Sequence, residues 1–159
     1  MQLLTYLQES PFTDWVLTAM LGFPTLIALH SVGMAIVVGL TFVIALRLNG
    51  VVSGLDRPLL LRFVSLAIWG FTLNLITGLM LFVTRGPEYL ETGIFLIKML
   101  LVLMSAALVV WVGQRLREAP AEGDVVADPL AGRLAIAATT LWFGAVVAGR
   151  LIAYVSDLY

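Results

Sequence analysis

The chain reads as long apolar runs broken by short polar clusters, and the length of the runs is the first signal. Four of them reach the ~20 residues that a helix needs to cross a bilayer core, at about 24–48, 58–84, 93–116 and 129–158. Pro24, Pro58 and Pro129 stand at the starts of three runs, where a missing backbone N–H costs a helix nothing. Asn49-Gly50 ends the first run and Arg85-Gly86-Pro87 closes the second, both being combinations that stop helices. Strands are excluded because no run alternates with period two, and a spanning segment must satisfy its backbone hydrogen bonds within itself. The pattern predicts an all-α integral membrane four-helix bundle forming a single domain over residues 1–159. Residues 1–22 are a weaker lead-in. Ser10-Pro11-Phe12-Thr13-Asp14-Trp15 predicts a short N-terminal interfacial helix with Trp15 at headgroup depth. Glu9 and Asp14, with no basic stretch before them, argue against a secretory signal.

Composition agrees with that solvent. Of 159 residues 61% are apolar and only 12% charged, with a mean hydropathy of +1.05, whereas soluble domains carry about 25% charged residues. A net charge of −1 excludes a basic nucleic-acid binder. With no cysteine, disulfides, thiolate metal sites and cysteine nucleophiles are excluded. The single histidine cannot build a multi-histidine cluster within one copy.

Charge placement gives an orientation. Arg47, Arg57 and Arg62 flank the first connection and Arg115, Arg117 and Arg133 the third, against Arg85, Lys98 and Arg150 on the opposite side. Basic residues accumulate on the cytoplasmic side, so both termini and the 86–92 loop are expected outside, in the periplasm of a bacterial inner membrane. The acidic connection 119–128 reads as a tether. Small residues four apart predict helix contacts along Ser31, Ala35 and Gly39, along Gly70, Asn74 and Gly78, and along Thr140, Gly144 and Ala148. Asn74 is expected to hydrogen-bond across such a contact, for roughly 0.5–1 kcal/mol.

Ionisable groups inside spans are costly and mark function by default. At ~1.5 Å rise per residue, His30 lies roughly 9 Å, Lys98 about 8 Å and Arg150 about 12 Å in from the outer ends of their helices, with Thr77 and Met80 near that level. Each has a plainer role. Lys98 can snorkel outward, Arg150 can pair with Asp157 beside Tyr154, and a lone histidine can be a satisfied buried polar group. Their common depth instead predicts one site. Basic groups without acids at that level call for an anion from outside the chain: a cofactor carboxylate, a lipid phosphate or a partner's acid.

Two metal chemistries suit these residues. His30 and Met34, one turn apart, could serve an iron porphyrin, with His30 as axial ligand. Lys98 and Arg150 would then neutralise the propionates and Tyr154 would donate a hydroxyl. Phe95, Trp69, Trp142 and Phe143 would line the slot, and Gly33 and Gly149 would leave room for the ring. Alternatively, imidazole and thioethers suit Cu(I), with Met34, Met80 and Met99 as further donors.

The segment 28–39, Ala-Leu-His-Ser-Val-Gly-Met-Ala-Ile-Val-Val-Gly, resembles the first-span histidine and glycine signature of bacterial copper-resistance protein D-like membrane proteins. Residues 92–102, with Lys98 early in a span, resemble a later segment of that superfamily. HemJ-type protoporphyrinogen oxidases are similar in the histidine and the lysine. That resemblance implies haem b binding at His30 and Lys98. Gly149-Arg150-Leu151-Ile152-Ala153-Tyr154 resembles the closing motif of small four-span relatives of this group. Further polar residues of the HemJ type and a dense Met/His array for copper have no counterpart here.

The expected function is haem b binding in the inner membrane, with electron transfer between the quinone pool and periplasmic partners, as a homo-oligomer or as a subunit of a redox complex. The competing expectations are a cofactor-free accessory subunit and Cu(I) binding or transport. No carboxylate pair or nucleophile–base set appears within the spans, so no catalytic residue is named.

Overall fold

The computed structural model of the chain describes residues 6, 9–90, 93–119, 125 and 128–155, without the side chains of residues 12, 85–89 and 153–155. It is all-helical among those residues: α1 (Pro11–Thr18), α2 (Gly22–Leu48), α3 (Arg57–Leu90), α4 (Gly93–Glu118) and α5 (Pro129–Val155). Stretches of α2 to α5 are long and apolar enough to cross a membrane, at Gly22–Leu48, Arg57–Thr84, Gly93–Glu118 and Pro129–Ile152. The chain is a multi-pass membrane protein in a lipid bilayer.

Local chemistry explains the boundaries. The Ser10 hydroxyl caps α1 by accepting from the Thr13 N–H, with Pro11 in the first turn, which satisfies one of the orphan donors there. Asp56 does the same for α3 through the Leu59 N–H at 3.0 Å. Asp128 caps α5 through the N–H groups of Leu130 and Ala131 at 3.1 and 3.2 Å. Gly50 and Gly54, at φ 74° and 81°, turn the chain between α2 and α3 through the left-handed region that favours glycine.

One boundary differs from the sequence expectation. The membrane-length part of α3 ends at Thr84, yet the helix runs on through Gly86 and Pro87 to Leu90. Proline disfavours a helical predecessor because its Cδ strikes that residue's Cβ. Gly86 has no Cβ, which removes that clash at Pro87.

The four long helices form a ring in which each packs on the next, α2 on α3, α3 on α4, α4 on α5 and α5 on α2. One end is closed by Ile44, Leu48, Leu60, Val64, Val112, Leu116 and Ala135. A second cluster at mid-depth holds Val37, Ala67, Val109, Ala138 and the fully buried Trp142, whose ring lies 6.0 Å from that of Phe71. The polar connections meet at the closed end. Arg47 Nε donates to Leu55 O at 2.8 Å, Arg57 Nη1 to Ala119 O at 2.8 Å, and Asn49 Nδ2 to Gly132 O at 3.1 Å. Arg115 Nε meets Asp128 Oδ2 at 2.7 Å, joining the end of α4 to the cap of α5.

Lipid supplies no hydrophobic drive between helices, so backbones must approach closely. A Cβ on Gly33 would stand 2.8 Å from both Asn74 N and Gly70 O, and a Cβ on Gly70 2.6 Å from Ile36 Cγ2. The Gly70, Asn74 and Gly78 row therefore makes the expected contact, against α2. The expectation for Ser31, Ala35 and Gly39 fails: all three are exposed, and a Cβ on Gly39 would meet nothing within 4 Å. The packed face of α2 runs instead through Leu26, Gly33, Val37, Thr41 and Ile44. In the third row Ala148 is buried and Gly144 faces Leu101, whereas Thr140 is exposed.

Two outcomes follow from this packing. Gly33→Ala forces a methyl against rigid backbone and should cost about 1–3 kcal/mol, read as an easier transition in detergent-induced unfolding, with Gly39→Ala unchanged as its control. The second concerns acid. The hydrogen bond from Arg115 chiefly, with the capped N–H groups, holds the Asp128 carboxyl below its usual 3.8. A depressed carboxyl stabilises the fold above its unfolded pKa and loses that contribution as pH falls through the folded value. Stability should therefore decline below about pH 4, and Asp128→Asn should flatten part of that decline.

Candidate functional site

Beyond the mid-depth cluster, toward the end of the bundle opposite the polar connections, α2 and α5 leave a cleft of about 610 Å³ between them. That lies within the ~300–1,000 Å³ typical of small-molecule sites. His30 and Met34 of α2, Lys98 of α4 and Arg150 of α5 all line it. Ser31, Ala35, Ala145 and Gly149 keep its walls thin, and Ile27, Val38 and Val146 give it aliphatic edges. Ile27, Ser31, Ala35, Val146 and Arg150 are exposed, so the cleft opens sideways between α2 and α5. Among the described residues no acidic side chain lines it.

Each polar group is held differently. His30 is half-buried, with Nδ1 3.1 Å from Thr77 Oγ1 on α3. Its own carbonyl accepts from Asn74 Nδ2 at 2.9 Å, which is the cross-helix bond expected of Asn74. A Cβ on Gly78 would lie 3.1 Å from His30 Cε1, so the ring rests on the α3 backbone. Gly33, one turn from His30, brings α3 close enough for all three contacts.

Lys98 does not lie apart from the others along its own helix. Its Cε and Nζ both lie 3.5 Å from where a Cβ on Gly149 would be, so the chain crosses from α4 onto α5 beside Arg150. Gly149 thus does leave room, for a lysine. Gly33 does not serve the slot, because α3 occupies its free side. Asp157 and the side chains of Tyr154 and Arg85 lie outside the described residues.

The expected aromatic slot is absent from the cleft lining. Phe95 stacks on Phe82 with ring centroids 5.5 Å apart, and Phe143 meets Phe42 edge-on at 6.4 Å. Trp69 is 70% exposed and Trp142 is in the core. Met34 is the one methionine in the lining, which Met80 and Met99 do not reach. Among the described residues no group of three His, Cys, Asp or Glu side chains could hold a metal ion; the side-chain chemistry of the cleft is one imidazole, one thioether, the Ser31 hydroxyl and two cations. Thr77 is the functional residue whose role the sequence left unassigned. Its spacing of three from Asn74 and one from Gly78, on the face that meets His30, carried the signal.

Comparison of the chain with protein-family models, with curated proteins and with solved structures finds no match.

The geometry predicts a graded response at Gly149. Alanine fits, because 3.5 Å is ordinary contact, whereas leucine would push the Lys98 ammonium off α5. Introduced ammonium-reactive reagents should accordingly modify Lys98 faster in Gly149→Leu than in wild type, with Gly149→Ala unchanged.

Proposed function

We propose that the protein binds haem b in the outer half of a bacterial inner membrane and passes electrons between the quinone pool and periplasmic partners. One observation carries this reading: an imidazole and two cations from three helices line a single lipid-facing cleft, with no acidic side chain among the described residues of its lining. His30 would be the axial ligand, its other ring nitrogen resting on Thr77, as metal-binding histidines commonly rest on a second group. Lys98 and Arg150 would hold the two carboxylates. Lys98 is partly buried, where an uncompensated charge costs more than in water, and an anionic guest would offset that cost while pairing with the exposed Arg150.

The small residues suit a flat body. Ala35, Ala145 and Gly149 present little more than backbone to the cleft, so a planar ring can lie between α2 and α5 without displacing large side chains. Met34 is one turn from His30 on the same face, so both approach a guest from one side. It shields that side rather than ligating from the opposite one. A second axial ligand would come from another copy or a partner subunit. Bound haem would supply one-electron chemistry at its iron; the residues of this chain bind it, orient it and balance its charge.

Membrane orientation belongs to the same proposal. The arginines at the closed end (Arg47, Arg57, Arg115) would face the cytoplasm, which puts the cleft on the periplasmic side.

Protein purified in detergent from haem-replete cells should show a Soret band that His30→Ala abolishes, and Lys98→Met should weaken haem retention about tenfold or more, as expected for a lost charged hydrogen bond. Colourless wild-type protein, or an unchanged His30→Ala spectrum, overturns the reading. Orientation is checked separately. With no native cysteine, Ser53→Cys in the exposed α2–α3 turn should react with an impermeant maleimide only after the cells are opened.

A further inference from the structure

His30 offers its two nitrogens to different neighbours, and the neighbours decide which one carries the proton. Nδ1 faces Thr77 Oγ1 at 3.1 Å. That hydroxyl has one proton to give and a closer acceptor on its own helix, Leu73 O at 2.7 Å, with Asn74 O at 3.2 Å beside it. A threonine whose proton goes to the carbonyl four residues back can only accept from elsewhere. Toward His30, then, Thr77 is an acceptor, and Nδ1 must be the donor.

The remaining ring atoms follow. Nδ1 and Cε1 both lie against α3, at 3.5 and 3.1 Å from the Cβ position of Gly78. The edge left to the cleft is Cδ2 and Nε2. In a neutral imidazole with its proton on Nδ1, Nε2 carries a lone pair.

We infer that Thr77 is a positioning residue that fixes the neutral His30 ring in its Nδ1–H tautomer, so that the cleft presents a lone pair beside two cations. Such a site selects a guest of mixed character: an electron-pair acceptor, whether a metal centre or an N–H or O–H donor, carrying anionic groups. A plain phosphate or fatty carboxylate satisfies Lys98 and Arg150 but leaves Nε2 without a partner. The identity of the acceptor as haem iron rests on the reading proposed above; the tautomer does not.

The single histidine makes the test direct. Protein labelled with nitrogen-15 histidine, in lipid nanodiscs without added cofactor at about pH 8, above the ordinary histidine pKa of ~6.5, gives two ring-nitrogen resonances. The proton should be bonded to Nδ1 in wild type and in Thr77→Ser. In Thr77→Val, which keeps the shape and loses the oxygen, the fraction carrying it on Nε2 should rise measurably. Wild type with the proton mainly on Nε2, or Thr77→Val indistinguishable from wild type, overturns the inference. Circular dichroism and gel filtration confirm that the valine variant is folded; if it is not, the wild-type and serine spectra decide. Haem titration separates the two claims: Thr77→Val should bind ten- to a hundredfold more weakly, the usual loss when such a partner is removed. Wild type with the expected tautomer and no haem uptake defeats the haem reading alone, whereas haem uptake with the proton on Nε2 defeats the tautomer alone.

Discussion

The backbone contact between α2 and α3 at Gly33, Gly70 and Asn74 is the constraint on which the remaining geometry depends. Two backbones meet there with no room for a methyl on Gly33. In a solvent as apolar as leucine, contact of this kind, not exclusion of side chains from water, holds helices together. It also fixes a register. With Gly33 opposite Gly70 and Asn74, the residue one turn toward the cleft end of α2 must face the next turn of α3. That residue is His30, and the turn holds Thr77 and Gly78. The histidine is thus oriented by packing that would be there without it.

The same register leaves the opposite side of α2 unsupported. Ser31 and Ala35 turn away from α3, toward the gap before α5. The two apolar clusters fill the closed end and the middle, and the cleft begins where they stop. Capping, the Arg115–Asp128 pair and the arginine-to-carbonyl bonds all gather at the closed end. One half of the bundle is tied and the other is left open, an arrangement in which the rigid part holds the cleft-lining side chains in place.

The spans were legible because their length and their proline starts have direct physical meanings. The common depth of His30, Lys98 and Arg150 was legible too, since rise per residue turns sequence position into height. Which way each residue faces was not. Ser31, Ala35 and Gly39 have the spacing of a contact stripe, but spacing does not say which of two adjacent faces meets a neighbour, and Gly33 took that role. Aromatic residues misled for a related reason. Trp69 and Phe143 are at home facing acyl chains, so their presence in a span says nothing about a slot. Gly86-Pro87 has the composition of a stop, yet the helix continues through it to Leu90, and the missing Cβ of Gly86 removes one of the clashes that oppose this.

The charge balance of the cleft constrains what could fill it. Lys98 and Arg150 bring two positive charges to one cavity with no acid among the described residues of its lining, and Lys98 is laid against Gly149, next in sequence to Arg150. A neutral guest would leave both charges in the cleft uncompensated. A guest with a single negative group would compensate only one of them. Two anionic groups on a body thin enough to lie against Ala35, Ala145 and Gly149 answer both cations, and an acceptor centre on that body answers His30. The cations therefore restrict the guest by charge and the small residues by thickness, while the imidazole restricts it by the need for an electron-pair acceptor. No one of the three restrictions identifies the guest without the other two.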